Sequence, residues 1–249
     1  MSETSTLHRN GTTLHLMNPD QGRETVFYGS LPAPPHGSGT KEEETKSRLV
    51  STLLDYRAKT KKSHGEQGQS SARAIFPTQL ACSPLGKPFL LSGEQRGPAI
   101  SFSQGGAKLW AALCAGNSDI GIDVADREEF RGGYPLQRVF HREELEHALG
   151  LTGGIREEAS ALLWSIKEAL VKALGCAFHL VDPLQISVRQ SAVSMAEGHG
   201  WRVFPVSITG KALLRFPLAA GRSLWVHSLP QRGMWLSIAL VERSMTNHV

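Results

Sequence analysis

The feature that most constrains this chain is a weak internal echo. Shifted by 127 positions, the segment Phe89 to Leu113 matches its displaced partner at eight of 25 places, among them Ser101 with Ser228, Gln104 with Gln231, Gly106 with Gly233, Leu109 with Leu236 and Ala112 with Ala239. Helix-like and strand-like groups also occur twice. A helix from about Lys41 to Lys62 precedes short apolar runs divided by Pro, Gly and Ser between Ile75 and Ala115. Helical stretches at Glu143 to Gly150 and Glu157 to Gly175 precede "QISVRQ", "WRVFPVSI", "SLWVHSL" and "MWLSIALV". Strands grouped as hairpins, rather than alternating with helices, predict an α+β fold instead of a parallel βαβ sheet. Duplication explains the recurrence. The expected fold is two similar halves of antiparallel strands plus helices, residues 1–117 and 118–249, related by a pseudo-two-fold axis with a cleft between them.

In the first helix Leu49, Leu53, Leu54 and Tyr56 share an inward face, Thr40 is a candidate cap, and Glu42 to Glu44 suit the N-terminal dipole. Arg57, Lys59, Lys61 and Lys62 crowd the other end, where dipole compensation accounts for them. The first forty residues are polar, with no strand assigned, and "SHGEQGQSSAR" has the composition of an exposed loop.

The 249 residues are 40% hydrophobic and 20% charged, a composition that suits a soluble protein with a sizeable core. The net charge of +4 favours an anionic ligand or acidic partner without reaching a nucleic-acid signature. Cys82, Cys114 and Cys176 lack the spacing of a zinc site or disulfide framework, which predicts a reducing compartment. No run approaches the roughly 18 apolar residues of a membrane span, and no leader pattern opens the chain, so a cytoplasmic location is expected.

The chemistry concentrates in "LLWSIKEALVKALG". Leu163, Ile166, Leu170, Ala173 and Leu174 form a buried stripe, while Trp164, Glu168 and Lys172 recur on another face. Alone, Glu168 and Lys172 read as a surface pair contributing about 0.2–0.5 kcal/mol. Upstream, Asp123 closes the apolar run "IGID", and carboxylates from two elements can share a hard cation such as Mg²⁺. "SQGGAKLW" lacks the spacing of a P-loop, the histidines lack a zinc pattern, and no nucleophile-elbow motif is present.

"IGIDVAD" followed by "WSIKEALVK" resembles the paired signature of the 4'-phosphopantetheinyl transferases. "GKPFL" is similar to the family's Gly-Lys-Pro element, "ISFSQGG" stands in place of its Ser-His segment, and "VFHREELEHAL" resembles the intervening helix. Length and duplication resemble the larger, surfactin-synthetase-type pseudodimer. The resemblance implies a monomeric, Mg²⁺-dependent transferase, of the holo-[acyl-carrier-protein] synthase type, that moves the phosphopantetheine arm of coenzyme A to a serine of an apo acyl, peptidyl or aryl carrier protein, releasing 3',5'-ADP. Fatty-acid, polyketide and nonribosomal peptide pathways are the contexts it implies.

By the same resemblance, Asp123 and Glu168 hold the metal, Glu168 accepts the serine proton, and Lys172 stabilises charge at the phosphate. Arg48, Lys87, Ser103, Gln104 and Lys167 are the further candidates for coenzyme A. Arg48 reads equally as an exposed helical arginine, and Trp164 as packing beside the carrier channel. The chain departs from the family in two places: the segment that usually carries a histidine offers Phe102, Ser103 and Gln104 instead, and Ala125 stands where many relatives carry a third acid, with Asp126 alternating to the opposite strand face. These losses also fit an alternative, a degenerate relative that binds coenzyme A or a carrier protein without catalysis. Nucleic acid is not an expected partner.

Overall fold

The computed structural model describes residues 6–9, 11–19, 24–35, 37–63, 78–176, 178, 180–190, 200–219 and 224–243. It is a mixed α+β structure whose strands pair antiparallel throughout the described sheets.

The first large sheet contains β1 (Thr6–Arg9), β2 (Thr12–Met17), β3 (Val26–Pro32), β7 (Ala99–Gly105) and β8 (Lys108–Cys114), in the order β1-β2-β3-β8-β7. The polar opening therefore holds three strands that the sequence pattern hides. In β2 the buried Thr12, Leu14 and Leu16 alternate with half-buried Thr13 and His15, so threonine and histidine mask the period of two. In β3 the Gly29-Ser30 pair resembles a turn, yet both residues are buried, and a Cβ at Gly29 would lie 2.6 Å from the Thr13 carbonyl oxygen. Glycine here permits close strand approach.

Helix α1 (Gly39–Ser63) buries Leu49, Val50, Leu53 and Tyr56 against Leu14, Phe27, Leu31 and Leu113 of this sheet. Because it begins at Gly39, Thr40 lies inside the first turn and is not its cap. Most of the expected loop "SHGEQGQSSAR" falls at residues 64–73, outside the described residues. A small sheet of β4 (Thr78–Cys82), β5 (Pro88–Ser92) and β6 (Gln95–Arg96) follows α1.

The second large sheet orders β10 (Ile186–Val188), β11 (Arg202–Ile208), β12 (Leu224–Gln231), β13 (Met234–Glu242) and β9 (Ser118–Asp126) as β10-β11-β12-β13-β9. Helices α2 (Arg142–Leu151), α3 (Arg156–Leu174) and the short α4 (Gly210–Arg215) accompany it. Ala161, Ile166, Leu170 and Val171 of α3 pack with Phe204, Val226 and Trp235 on its outer face. Between the sheets, Tyr28, Trp110 and Ala112 meet Ile120, Ile122, Val124, Leu236 and Ile238. The layers thus run α1, first sheet, second sheet, α3.

One plan occurs twice. A strand (β3 or β9), a long helix (α1 or α3) and a hairpin (β7–β8 or β12–β13) follow in order, and the strand pairs with the hairpin's second arm. Both hairpins turn through two positive-φ residues, Gly106 and Ala107 at 57° and 56°, Arg232 and Gly233 at 29° and 84°. These are type I′ signatures. Arg232 stands 126 positions after Gly106, so the hairpins superpose one residue away from the 127-position echo. A one-residue slip exchanges strand faces, so those identities do not fall at equivalent positions. The repetition lies in the connectivity and pairing.

Among the described residues, no helix is long and apolar enough to cross a membrane.

Candidate active site

Alternation along β9 separates packing from chemistry. Ile120, Ile122 and Val124 enter the core between the sheets, which turns Gly121, Asp123 and Ala125 toward α3. Gly121 sets the spacing: a Cβ there would fall 1.9 Å from the Ala169 carbonyl oxygen and 2.5 Å from the Ala173 amide nitrogen. Small residues on both sides let the helix backbone approach the strand directly. Gly175, in the left-handed region at φ 80°, ends α3.

A chain of buried hydroxyls fixes the register of helix on sheet. Ser165 of α3 lies 2.7 Å from the hydroxyl of Ser237, which lies 2.8 Å from that of Ser228. Ser237 is directly opposite Asp123 in the β9–β13 ladder. The serine of "WSIKEA" thus anchors α3 beside the aspartate.

Within this frame Lys172 Nζ donates to Asp123 Oδ1 at 2.7 Å and to the Ile122 carbonyl at 3.3 Å. Ser103 of β7 donates to the same Asp123 oxygen at 2.9 Å. Glu168, one turn before Lys172, is half-buried. Burial, reinforced by the charge of Asp123 and opposed by Lys172, pushes its carboxyl up to about 7. Glu129 also feels Asp123: burial raises its pKa first, with Asp123 and Asp126 adding to the shift. Its side chain accepts the Asp126 amide while Asp126 caps the short 3₁₀ turn Arg127–Phe130, so Asp126 has a local structural role.

Carboxylates in each other's field are costly unless a cation joins them. Their oxygens are hard donors suited to Mg²⁺, which commonly completes its shell with water and phosphate oxygens. Among the described residues no cluster of three or more His, Cys, Asp or Glu side chains forms a complete metal cage. Asp123 and Glu168 are two such carboxylates, each within reach of the other's charge.

Beside them opens a cavity of about 280 Å³, lined by Lys46, Leu85, Lys87, Phe102, Lys172 and Cys176 among others. Lys87 Nζ donates to the Ala173 carbonyl at 2.8 Å and pairs with Asp119 at 3.0 Å, joining the β4–β5 turn to the end of α3 and to β9. Burial lowers its pKa, against the opposing pull of Asp119. A larger cavity of about 540 Å³, between α2 and β10, is lined by none of Asp123, Glu168 and Lys172.

Other candidates are placed differently. Arg48 is exposed on α1, whereas Lys46 lines the cavity, held by Glu42 at 2.8 Å and Glu43 at 3.2 Å. Lys46 falls on the stripe of Leu49, Val50 and Leu53, a spacing that signals an inward position. Gln104 is exposed, on the opposite face of β7 from Ser103.

Lys167, a coenzyme-binding candidate in the sequence, is turned into the interior, away from the cavity. Its side chain is 0% exposed and donates to Val139 O at 2.8 Å, Pro183 O at 3.0 Å and Glu144 Oε1 at 2.5 Å. An ammonium has three protons, and all are used. Glu144 in turn accepts the amides of His141 and Val188, and the Phe140 ring lies 5.4 Å from the ammonium. The Phe-x-x-x-Glu pattern of "VFHREELEHAL" therefore completes an interior lock on α3. Trp164 packs with Phe130, Tyr134 and Phe178, its nearest ring, Phe178, at 5.0 Å.

Residues 119–202 match the family model described as the 4'-phosphopantetheinyl transferase superfamily. The match includes Asp123, Glu168 and Lys172, and it supports the superfamily and phosphopantetheinyl transfer. No curated protein matches the chain.

Proposed function

We propose, with the superfamily match as premise, that this chain transfers the 4'-phosphopantetheine arm of coenzyme A to a serine of an apo acyl, peptidyl or aryl carrier protein. The observation that carries this reading is the convergence of Asp123, Glu168 and Lys172 from β9 and α3, inside the matched segment and beside the lysine-lined cavity.

Asp123 and Glu168 are the residues to hold Mg²⁺, which when bound supplies charge neutralisation for the pyrophosphate. Lys46, Lys87 and Lys172 provide cationic side chains at the cavity wall for the substrate's phosphates. Arg48, exposed on the same helix as Lys46, and Gln104, on the Phe102 face of β7, are positions from which more remote parts of coenzyme A can be met.

In the reaction, the carrier serine oxygen bonds to the β-phosphorus of coenzyme A as the bond to 3',5'-ADP breaks, and the leaving phosphate takes that electron pair. Glu168 accepts the serine proton directly or through water. Lys172 lies 2.7 Å from Asp123 and is poised to offset negative charge that develops beside it. The two halves, in this reading a pseudodimer about an approximate two-fold axis, supply Lys46 and Lys87 from residues 1–117 and Asp123, Glu168 and Lys172 from residues 118–249.

Mass spectrometry tests the reading directly. With coenzyme A, Mg²⁺ and a panel of apo carrier proteins, at least one carrier gains roughly 340 Da, the transferred phosphoryl-linked arm. Asp123→Ala and Glu168→Ala abolish that gain while retaining the folded spectrum. No gain across a panel modified by a control transferase would refute the assignment, as would full activity of either variant.

A further inference from the structure

We propose that Ser103 is a positioning residue that aims Asp123 at the metal, a role that rests on the proposed function. Its hydroxyl accepts the Val124 amide at 3.2 Å and lies 2.9 Å from Asp123 Oδ1. A serine hydroxyl has one proton, and the ionised carboxylate can only accept, so that proton is given to Asp123. Lys172 takes the same oxygen at 2.7 Å. Two donors on Oδ1 pin the carboxylate plane and leave Oδ2 without a partner among the described residues. Oδ2 is the oxygen offered to a cation. Ser103 and Asp123 are both buried, at 8% and 6% exposure, so water does not readily replace this bond.

The neighbouring Ser101 separates positioning from strand joining. Its hydroxyl accepts the Ile122 amide at 3.1 Å, just as Ser103 accepts that of Val124, so the two serines bracket Asp123 along β9. Among the described residues, Ser101 makes no hydrogen bond to a carboxylate. Both serines tie the edge of the first sheet to β9, but only Ser103 also touches the proposed ligand. Partners that orient a metal ligand commonly contribute a factor of about 10–100 in metal affinity when removed. Ser103 occupies that position relative to Asp123.

The test is Mn²⁺ binding, read by the loss of the free-ion electron paramagnetic resonance signal, with and without saturating coenzyme A. Asp123→Ala is the reference for a lost site. Ser103→Ala is expected to bind Mn²⁺ about 10-fold or more weakly, Ser101→Ala about as tightly as the unmodified protein, and Ser103→Thr to recover most of the affinity because it keeps the hydroxyl. Thermal melting checks that the two alanine variants fold. If Ser103→Ala and Ser101→Ala bind Mn²⁺ equally, the positioning role is overturned while the metal site stands. If the unmodified protein binds no more Mn²⁺ than Asp123→Ala, the metal-site reading falls, and this role with it. Should Ser103→Ala fail to fold, Ser103→Cys keeps the residue's size with a weaker donor. Unchanged Mn²⁺ affinity in that variant also overturns the proposal.

Discussion

Lys167→Met separates two roles for a lysine that lies beside the proposed base in sequence but faces the interior. Methionine keeps much of the aliphatic stem and removes the ammonium. Glu144, with 2% side-chain exposure, then keeps a buried charge without its cation, and the carbonyls of Val139 and Pro183 lose a donor. Removing one partner of a buried pair typically costs about 3–5 kcal/mol. For a chain of this size each kcal/mol moves the melting temperature by about 2–4 °C, which gives a fall of roughly 6–20 °C. Calorimetry on the metal-free protein measures it, and Michaelis analysis at a temperature where the variant stays folded gives the KM for coenzyme A. The double variant Lys167→Met/Glu144→Gln should lose less than the two single losses added, because the unpaired charge is gone. A melting temperature unchanged within a degree, together with a raised KM for coenzyme A, would refute the interior lock and restore Lys167 as a phosphate contact.

Gly121→Ala should destabilise by about 1–3 kcal/mol, toward the upper end because the new Cβ meets helix backbone instead of a flexible side chain. Any relief moves α3 away from β9, so Mn²⁺ affinity should fall along with the melting temperature; a variant with both unchanged would contradict the direct strand–helix contact. Glu168 makes metal-free stability depend on pH. Its carboxyl rises from an ordinary 4.5 to about 7 in the folded state, so its contribution is fully present below 4.5 and is lost as pH climbs through 7. For this half-buried group the change is at most about 3 kcal/mol. Melting curves of the protein and of Glu168→Gln, without divalent ions, should converge in slope at pH 8 and diverge between pH 5 and 7; parallel profiles throughout would show that Glu168 titrates normally.

What the sequence made legible follows from which physical signals are local. The periodicity of α3, the apolar run of β9 and the hairpin pattern of β12 and β13 depend on side chains a few residues apart, and these elements fall where periodicity places them. Asp123, Glu168 and Lys172 are singled out by the paired signature "IGIDVAD" and "WSIKEALVK", because Glu168 and Lys172 alone read as a surface pair. The remaining features depend on distant neighbours. Nothing local in Val26–Pro32 says that Gly29 admits the Thr13 carbonyl, so a buried strand goes unassigned in the polar opening. Nothing local separates Lys167 from Lys172 as cations on one helix. The distinction comes from Glu144, 23 positions away, and Asp123, 49 positions away, each claiming a different ammonium. Arg48 and Lys46 show the intermediate case: the stripe through Leu49 and Leu53 contains the answer, since it turns Lys46 inward and Arg48 out. A cation's role in such a site is therefore decided by which carboxylate the fold brings to it, and for Lys167 and Lys172 that assignment alone separates an interior lock from a group at the proposed reaction centre.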